Sequence, residues 1–427
     1  MPVSASWQNL SSFRPLVFQS TSDQTHLFFI HEEDHCDYIG LDYYHTYELE
    51  DGDWSVPRRI PSYYQVGTDY ILTISPSEKG FTIYAADFFT VWTVDYDEQA
   101  NEWLEPTRLF ESKPNSILVE DEVVYLSSIN KSSAMVTVTK ITASSIDTQT
   151  IYGQEFSTLP IYEYYSINFD YYHFPFIRGE DSLFLYSPGY QYRAEFANGT
   201  WSDWQPTDFA CSRCCLVNEQ YIIGQINFSV FMVDLTADNL TTQMLVIDPL
   251  ELDLKNVYDH DVEVWKDTPD ETVFIIATLD NETNDQNRLD LWMLNFTAGN
   301  LTKVASLKHK IKGYQEYDEY IDRKPSIDLL LDESNVRVFW DYHKDYNYDE
   351  IYTATYDPAT NEWSPKVQIT DTNTFLEGTC PYPLGWDNPI YFIPVYVGFI
   401  TLLIFGVIAV VVVIMKFAIR HKPNVSQ

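Results

Sequence analysis

The chain has 427 residues and carries 26 Lys and Arg against 63 Asp and Glu, a formal net charge of −37. This balance excludes an ordinary nucleic-acid binder, because phosphate contacts require clustered Lys and Arg. Disorder, which strong acidity often accompanies, is excluded because 45% of the residues are hydrophobic and 16% are aromatic. The composition is that of a folded, acidic protein with many aromatic side chains.

A repeated pattern runs along most of the chain: an alternating strand, a polar turn and then an extended stretch. Four copies contain a Trp after the turn, namely Trp54, Trp103, Trp201 and Trp363. Three copies lack the Trp and are centred near Ile146, Leu240 and Leu301. The mean period of about 51 residues is typical of four-stranded β-propeller blades. We therefore predict an all-β fold, a β-propeller of about seven blades over residues 1–370.

The turns of the four Trp-containing copies resemble known propeller motifs. The segments are DGDW (51–54), NEW (101–103), NGTW (198–201) and NEW (361–363). They look like degenerate Asp-box or WSxP-type turns, which occur in sialidase-like and fungal fucose-lectin-like propellers. The resemblance implies the fold and no particular activity, because the full Ser-x-Asp-x-Gly-x-Thr-Trp form is missing and no Arg-Glu-Trp sugar site recurs from blade to blade.

The turns between second and third strands open on one face of a propeller, which is usually the binding face. Sequons fall in these turns at Asn130, Asn227 and Asn281, in blades three, five and six, where glycans would obstruct the rim. Blades seven, one and two form an arc without sequons in these turns. This arc is the predicted ligand surface.

Two loops of this arc combine His with several acidic residues. They are HEEDHCDYIGLDYYH (31–45) in blade one and DYHKDYNYDE (341–350) in blade seven. Because the ring closes, we expect the two loops to be neighbours. The candidate ligand-binding residues are His31, Asp34, His35, His343, Asp345 and Asp349. The aromatic stretch 159–181 adds four residues, since Tyr supplies amphipathic contact area. They are Tyr164, Tyr165, Tyr171 and Tyr172.

The same loops permit two metal-binding interpretations. HEEDH matches the zinc motif H-E-x-x-H, but that motif needs a helix, and here it follows the predicted strand HLFFI. Asp345-x-Asn347-x-Asp349 resembles the opening of a calcium loop, but Glu350 stands where that loop needs Gly. We expect a solvated acidic loop without a cofactor, with Ca²⁺ as the alternative. Acidic groups elsewhere, such as YDHDVEV, alternate along predicted strands and are expected to face solvent.

Residues 390–415 form a long apolar run without charges. As a helix this run covers roughly 39 Å, enough to span a hydrocarbon core of about 30 Å. Lys416 and Arg420 follow the run and acidic residues precede it, so the positive-inside rule places the short tail 416–427 in the cytosol. Residues 371–389 would form a stalk between the propeller and this transmembrane helix.

Potential glycosylation sites agree with this orientation. Eight Asn residues before the span begin N-x-S/T: Asn9, Asn130, Asn198, Asn227, Asn239, Asn281, Asn295 and Asn300. The start of the chain, MPVSASWQNL, lacks the basic and apolar segments of a signal peptide, which by itself favours a tail-anchored protein with a cytosolic domain. Because sequons and flanking charges agree independently, we expect a truncated or mature N-terminus and an extracellular or lumenal propeller.

These features predict a single-pass glycoprotein of the plasma membrane or an endomembrane, whose propeller recognises a protein or glycan ligand without catalysis. One alternative is a carbohydrate-active hydrolase, which would need two carboxylates roughly 5 to 10 Å apart over the central cavity. A second alternative is a structural surface-coat or adhesion component. The negative charge favours basic partners or divalent cations and disfavours nucleic acid.

Overall fold

The computed structural model describes the chain between residues 12 and 370 with internal gaps. The described residues are 12–34, 39–61, 70–86, 90–111, 114–120, 123–129, 135–154, 174–179, 182–187, 190–208, 214–217, 220–226, 229–237, 240–247, 252, 257, 259–268, 270–282, 286–310, 326–332, 334–345 and 348–370. They belong almost wholly to one compact unit, 1–33 with 40–376, and Asp34 and Ile39 alone belong to a second unit, 34–39 with 377–427.

Seven antiparallel sheets follow one another along the described chain, each made of four or five consecutive strands. Blade 1 contains β1 (Ser12–Gln19), β2 (Thr25–Asp34), β3 (Ile39–Tyr47) and β4 (Arg58–Arg59). Blade 2 contains β5 (Tyr70–Ser77), β6 (Gly80–Ala86), β7 (Val91–Asp97), β8 (Glu102–Trp103) and β9 (Thr107–Phe110). Blade 3 contains β10 (Ser116–Glu120), β11 (Val123–Ile129), β12 (Val136–Ile141) and β13 (Ile146–Ile151).

The remaining four sheets have the same order, with the first strand innermost. Blade 4 contains β14 (Phe176–Arg178), β15 (Leu183–Tyr186), β16 (Tyr192–Ala197), β17 (Thr200–Trp201) and β18 (Gln205–Pro206). Blade 5 contains β19 (Cys214–Val217), β20 (Tyr221–Ile226), β21 (Ser229–Asp234) and β22 (Thr242–Val246). Blade 6 contains β23 (Asp259–Thr268), β24 (Glu271–Glu282), β25 (Gln286–Asn295) and β26 (Asn300–Lys310). Blade 7 contains β27 (Ile327–Leu331), β28 (Val336–Asp345), β29 (Tyr348–Asp357), β30 (Glu362–Trp363) and β31 (Val367–Gln368).

Seven hydrophobic clusters lie between the seven sheets, one at each interface, and so close the ring. Alternate residues of a second strand pack to opposite sides because successive side chains of a strand point to opposite faces. Phe28 packs against blade 2, whereas Phe29 and Leu27 pack against Phe339 of blade 7. This double burial explains the nearly continuous apolar runs of the second strands, and the seven interfaces confirm the predicted seven-bladed propeller.

The predicted Trp turns join the third strand of a blade to its outer edge. Each Trp side chain packs against the cluster shared with the preceding blade, as Trp103 does between blades 1 and 2 and Trp363 does between blades 6 and 7. In blade 4, the Ser202 N–H donates to the Glu195 carbonyl (2.8 Å) and the Ser202 hydroxyl accepts from the Glu195 N–H (3.0 Å). Ser55 in blade 1 and Ser364 in blade 7 make the same two bonds. The Ser hydroxyl thus replaces a strand carbonyl as acceptor.

The last described residue, Thr370, is fully buried. Its hydroxyl donates to the Glu350 carboxylate (2.6 Å) and accepts from the Ile351 N–H (2.8 Å) at the beginning of β29. The end of the propeller is therefore fixed to the third strand of blade 7, beyond the short edge strand β31.

Within these ranges, no helix combines the length and the apolar character that crossing a membrane requires. The predicted transmembrane helix 390–415, the stalk 371–389 and the tail 416–427 lie outside the described residues. These three boundaries stay predictions.

Candidate functional site

Blades 6, 7 and 1, which are consecutive around the ring, have the longest second and third strands of the described chain. These strands have 9 to 12 residues, whereas those of blades 2 to 5 have 4 to 7 residues. In blade 7, β28 pairs with the inner strand from Val336 to Trp340 only, while its pairing with β29 continues to Asp345. The hairpins β2–β3, β24–β25 and β28–β29 therefore project beyond the inner strands, and we call them the long-hairpin rim.

Three carboxyl groups lie on the inner strands of two of these blades. Asp261 and Glu263 belong to β23 of blade 6, and Asp328 belongs to β27 of blade 7. All three side chains are half-buried. We call them the axial carboxyl cluster, because inner strands surround the axis of a propeller. The aspartates stand within three residues of the start of their strands, and an inner strand starts on the same face as the second-to-third turns.

The two aspartates connect blades 6, 7 and 1 through backbone N–H groups. Asp261 Oδ2 accepts from the Leu329 N–H of blade 7 (2.8 Å). Asp328 Oδ2 accepts from the Val17 N–H of blade 1 (2.6 Å), and its Oδ1 accepts from the Leu329 N–H (3.0 Å). An inner strand has a sheet neighbour on one side only, so some of its N–H groups need acceptors from outside the sheet. Carboxylates of the adjacent blade fill this need.

The axial carboxyl cluster binds protons more readily than free carboxyl groups do. Burial raises the pKa of Asp261, and burial together with the charge of Asp261 raises that of Asp328 well above its usual value. The two carboxyls accept from the same Leu329 N–H, so they lie close enough for the charge of Asp261 to favour protonation of Asp328. Burial, and secondarily the charge of Asp261, raises the pKa of Glu263 to about 7. The cluster therefore changes its charge near neutral pH.

The geometry of this pair bears on the hydrolase alternative. Glycosidase carboxyl pairs stand roughly 5 to 10 Å apart, with room for a sugar or a water between them. Asp261 and Asp328 instead share the Leu329 N–H as a donor, and Asp328 also accepts from the Val17 N–H. Among the described residues, no group of three or more His, Cys, Asp or Glu side chains has the geometry of a metal site.

The structure places the predicted blade 1 residues at the end of β2. His31 is 2% exposed, and its ring makes an edge-to-face contact with Tyr44 at 5.2 Å. Asp34 is the last residue of β2 and is described at the backbone, and His35 lies outside the described residues. His31 is thus part of the packed interior, and the binding roles of Asp34 and His35 stay predictions.

The predicted blade 7 residues share one projecting hairpin. His343 of β28 pairs directly with Asp349 of β29, and Asp345 pairs with Tyr348 next to the turn. Blades 7 and 1 pack against each other, so this hairpin and the β2–β3 hairpin belong to adjacent blades, as expected from ring closure. Four further candidates lie outside the described residues, namely Tyr164, Tyr165, Tyr171 and Tyr172.

Three of the eight sequons have described side chains, all near third-to-fourth turns. Asn198 and Asn300 are exposed. Asn295 is half-buried, and its amide donates to the Glu271 carboxylate (2.8 Å). Asn281 lies near the end of β24 and is described at the backbone. The remaining sites, Asn9, Asn130, Asn227 and Asn239, lie outside the described residues.

The sequence did not indicate the axial carboxyl cluster. Asp261 and Glu263 belong to the segment YDHDVEV, whose acidic residues were expected to face solvent. That expectation is wrong for Asp261, which is half-buried and bonded to the backbone of the next blade. The available signal was an acidic residue inside an apolar first strand, as in the segment SIDLLL around Asp328.

Solved structures of similar fold are propellers with very different sequences. The β-propeller domain of the Trilobed protease from Pyrococcus furiosus, titled as having an open velcro topology, is 10% identical at a TM-score of 0.45, covering 87% of this chain and 99% of that chain. AztD from Citrobacter koseri is 11% identical at a TM-score of 0.39, covering 81% and 95%. The WD40 domain of SCAP from fission yeast is 9% identical at a TM-score of 0.37, covering 83% and 84%.

No protein-family model matches the chain, and no curated protein matches it. At identities of 9 to 11% the likeness to solved structures concerns the fold alone. The seven sheets and the seven interfaces between them identify the described chain as a seven-bladed β-propeller.

Proposed function

We propose that the chain is a single-pass membrane glycoprotein whose extracellular or lumenal propeller recognises a protein or glycan ligand without catalysis. The observation that carries the proposal is that two features occur in the same sector of the ring. Blades 6, 7 and 1 bear the long-hairpin rim, and the axial carboxyl cluster lies on blades 6 and 7 and accepts from the backbone of blade 1. A ring of otherwise short hairpins thus has one enlarged sector, and binding residues are often located in such projecting segments on a rigid scaffold.

The ligand surface lies on the hairpins of blades 7 and 1. Asp345 and Asp349 belong to the β28–β29 hairpin, so an approaching ligand meets acidic positions there. A surface of one sign favours partners of the opposite sign and raises their association rate. The ligand is therefore a protein or glycan with a basic or cationic patch. A glycan at Asn281, on the β24–β25 hairpin, would limit this surface at blade 6.

Glycan positions are compatible with this surface. Asn198 and Asn300 are exposed near third-to-fourth turns, at the opposite end of the third strand from the long-hairpin rim. Glycans there would leave the rim of blades 7 and 1 accessible. The apolar run 390–415 with its basic flank supplies the membrane span.

The absence of catalysis is supported by the way the axial aspartates are used. Asp261 and Asp328 accept from backbone N–H groups of neighbouring blades and share the Leu329 N–H. These carboxyl oxygens therefore connect blades 6, 7 and 1 near the axis, which is a structural use rather than a catalytic one.

Two experiments test the proposal. Full-length protein from glycosylating cells should shift in mobility after enzymatic deglycosylation, and an unglycosylated cytosolic product would contradict the orientation. The same protein in detergent should bind partners on a glycan array or a cell-surface protein array. The double variant Asp345→Asn/Asp349→Asn should weaken that binding at least tenfold, whereas Asp203→Asn, an exposed aspartate of blade 4, should not.

Two results would contradict the ligand surface or the function. Equal binding by the hairpin variant and the Asp203→Asn control would remove blade 7 from the ligand surface. Glycoside hydrolysis by the wild type that Asp328→Asn abolishes would favour the hydrolase alternative instead.

A further inference from the structure

Two histidines are enclosed in the interface between blades 1 and 2. His26 on β2 is 0% exposed and His45 on β3 is 2% exposed. Both rings contact Phe81 and Tyr96 of blade 2, and the ring of His45 also contacts Trp103 at 5.2 Å. Such an apolar enclosure favours neutral imidazoles.

A chain of close polar contacts joins the two histidines to one carboxylate. His26 Nδ1 lies 2.9 Å from His45 Nε2, and the two rings are stacked at 5.1 Å. His26 Nε2 lies 3.3 Å from Glu98 Oε1, and the hydroxyl of Ser22 donates to Glu98 Oε2 (2.9 Å). A carboxylate requires a donor opposite it, so we assign the proton of His26 to Nε2. His26 Nδ1 is then an acceptor, and His45 Nε2 donates to it.

The charged and titratable groups around this pair offer little compensation for added protons. Glu98 is the carboxylate that faces His26, and Arg58 of β4 contributes positive potential at His45. Tyr96 is near both rings, and burial raises its pKa, so it is neutral at physiological pH. One carboxylate can balance one imidazolium and not two.

Burial lowers the pKa of His26 to about 4, although the nearby Glu98 charge opposes this shift. Burial, then the neighbouring His26 and Arg58, lowers the pKa of His45 well below its usual value. Both groups remain neutral in the closed interface at a pH where exposed histidines, with a pKa near 6.5, are already charged.

We propose that His26, His45 and Glu98 form an acid-sensitive element that weakens the interface between blades 1 and 2 as the pH falls below about 6.5. The direction of this pH effect follows from the linkage between proton binding and opening of the interface. An opened interface takes up protons from about pH 6.5 downward, whereas the closed one does so only near pH 4, so protons favour opening between these values. Each histidine can increase the equilibrium constant for opening by up to about tenfold for each pH unit by which the pH falls.

The element is linked to the long-hairpin rim through the chain. His26 and His45 lie on the two strands of the β2–β3 hairpin, and the far end of this hairpin belongs to the rim. Loosening the interface at the histidines therefore weakens one of the two blade interfaces that hold this hairpin. This inference concerns the conformation of blade 1 and does not depend on the identity of a ligand.

Hydrogen exchange of the full chain, read by mass spectrometry between pH 7 and pH 5 and corrected for intrinsic exchange rates, tests the element. Protection of amides in β2 (Thr25–Asp34) and β7 (Val91–Asp97) should fall by up to about a hundredfold per pH unit below 6.5. Amides in β15 and β20, at the interface between blades 4 and 5, supply an internal control, because the cluster there contains no histidine. Constant relative protection down to pH 5 would overturn the proposal without any variant.

Two conservative variants assign the effect to the histidines. In His26→Gln, the amide can accept from His45 and donate to Glu98, but it does not titrate. His26→Gln and His45→Gln should each reduce the pH slope of protection in β2 by up to about tenfold per pH unit. An unchanged slope in both folded variants would overturn the assignment.

Discussion

Glu263→Gln is the sharpest test of the electrostatics at the axis of the ring. The substitution keeps the shape of the side chain and an acceptor for the Val264 N–H, and removes the titrating carboxyl. The pKa of Glu263 rises from 4.5 to about 7 on folding. At about 1.4 kcal/mol per pKa unit the difference is on the order of 3 kcal/mol. Partial exposure of the side chain reduces it, so we expect about 1–3 kcal/mol.

The raised pKa of Glu263 determines whether the free energy of unfolding rises or falls with pH. Stability from a carboxyl with a raised folded pKa is fully present below pH 4.5 and is lost as the pH rises through about 7. The variant does not undergo this loss. Its free energy of unfolding should therefore nearly equal that of the wild type at pH 4.5 and exceed it by about 1–3 kcal/mol at pH 8.

Urea unfolding of the full chain, followed by Trp fluorescence at pH 4.5, 6, 7 and 8, measures this difference. The histidines contribute equally to both proteins and cancel in the comparison. Glu362→Gln, which removes an exposed carboxyl in blade 7, is the matched control. A difference between wild type and Glu263→Gln that does not change with pH would refute the reasoning.

Three further outcomes are expected. Asp328→Ala leaves the Val17 N–H without its carboxylate acceptor and should lower the free energy of unfolding by about 1–3 kcal/mol. Asp328→Asn keeps an acceptor oxygen and should lower it by less. Equal losses of stability in urea unfolding would contradict a hydrogen-bonding role. Ser202→Ala should cost about 0.5–1.5 kcal/mol in the same assay through loss of the bond from the Glu195 N–H, and no loss would show that the turn is held by other contacts. Asn198→Gln should remove one glycan's mobility shift in protein from glycosylating cells; an unchanged shift would show that this site is not used.

The fold could be predicted because its determinants are local in the sequence. The second strands are apolar on both faces, since Phe28 and Phe29 pack against different blades. The turns can be recognised in the sequence by a Trp and by residues that tolerate a positive φ, such as Asn101 (53°) and Asn361 (58°). Repetition of these signals at one period was sufficient to predict the number of blades.

The candidate site could not be predicted to the same extent, because its partners are distant along the chain. Asp261 and Leu329 are 68 residues apart, and Val17 and Asp328 are 311 residues apart. An Asp inside a strand of alternating residues has the same appearance whether it faces solvent or the next blade. The burial of His31 could not be predicted for the same reason, since the sequence does not show that its ring packs against that of Tyr44.

The attachment of Thr370 to Glu350 and Ile351 determines how the ring would resist tension. The edge strand β31 pairs with β29 through only two residue pairs, Tyr352↔Gln368 and Thr353↔Val367, and would open one pair at a time if pulled from its end. A pull on the chain beyond residue 370 meets the buried Thr370 contacts first. The force is then transmitted to β29, a central strand paired along its length with β28, and the edge strand is spared. A pair of side chains thus gives the last blade a mechanical anchor at the point where a tether would attach.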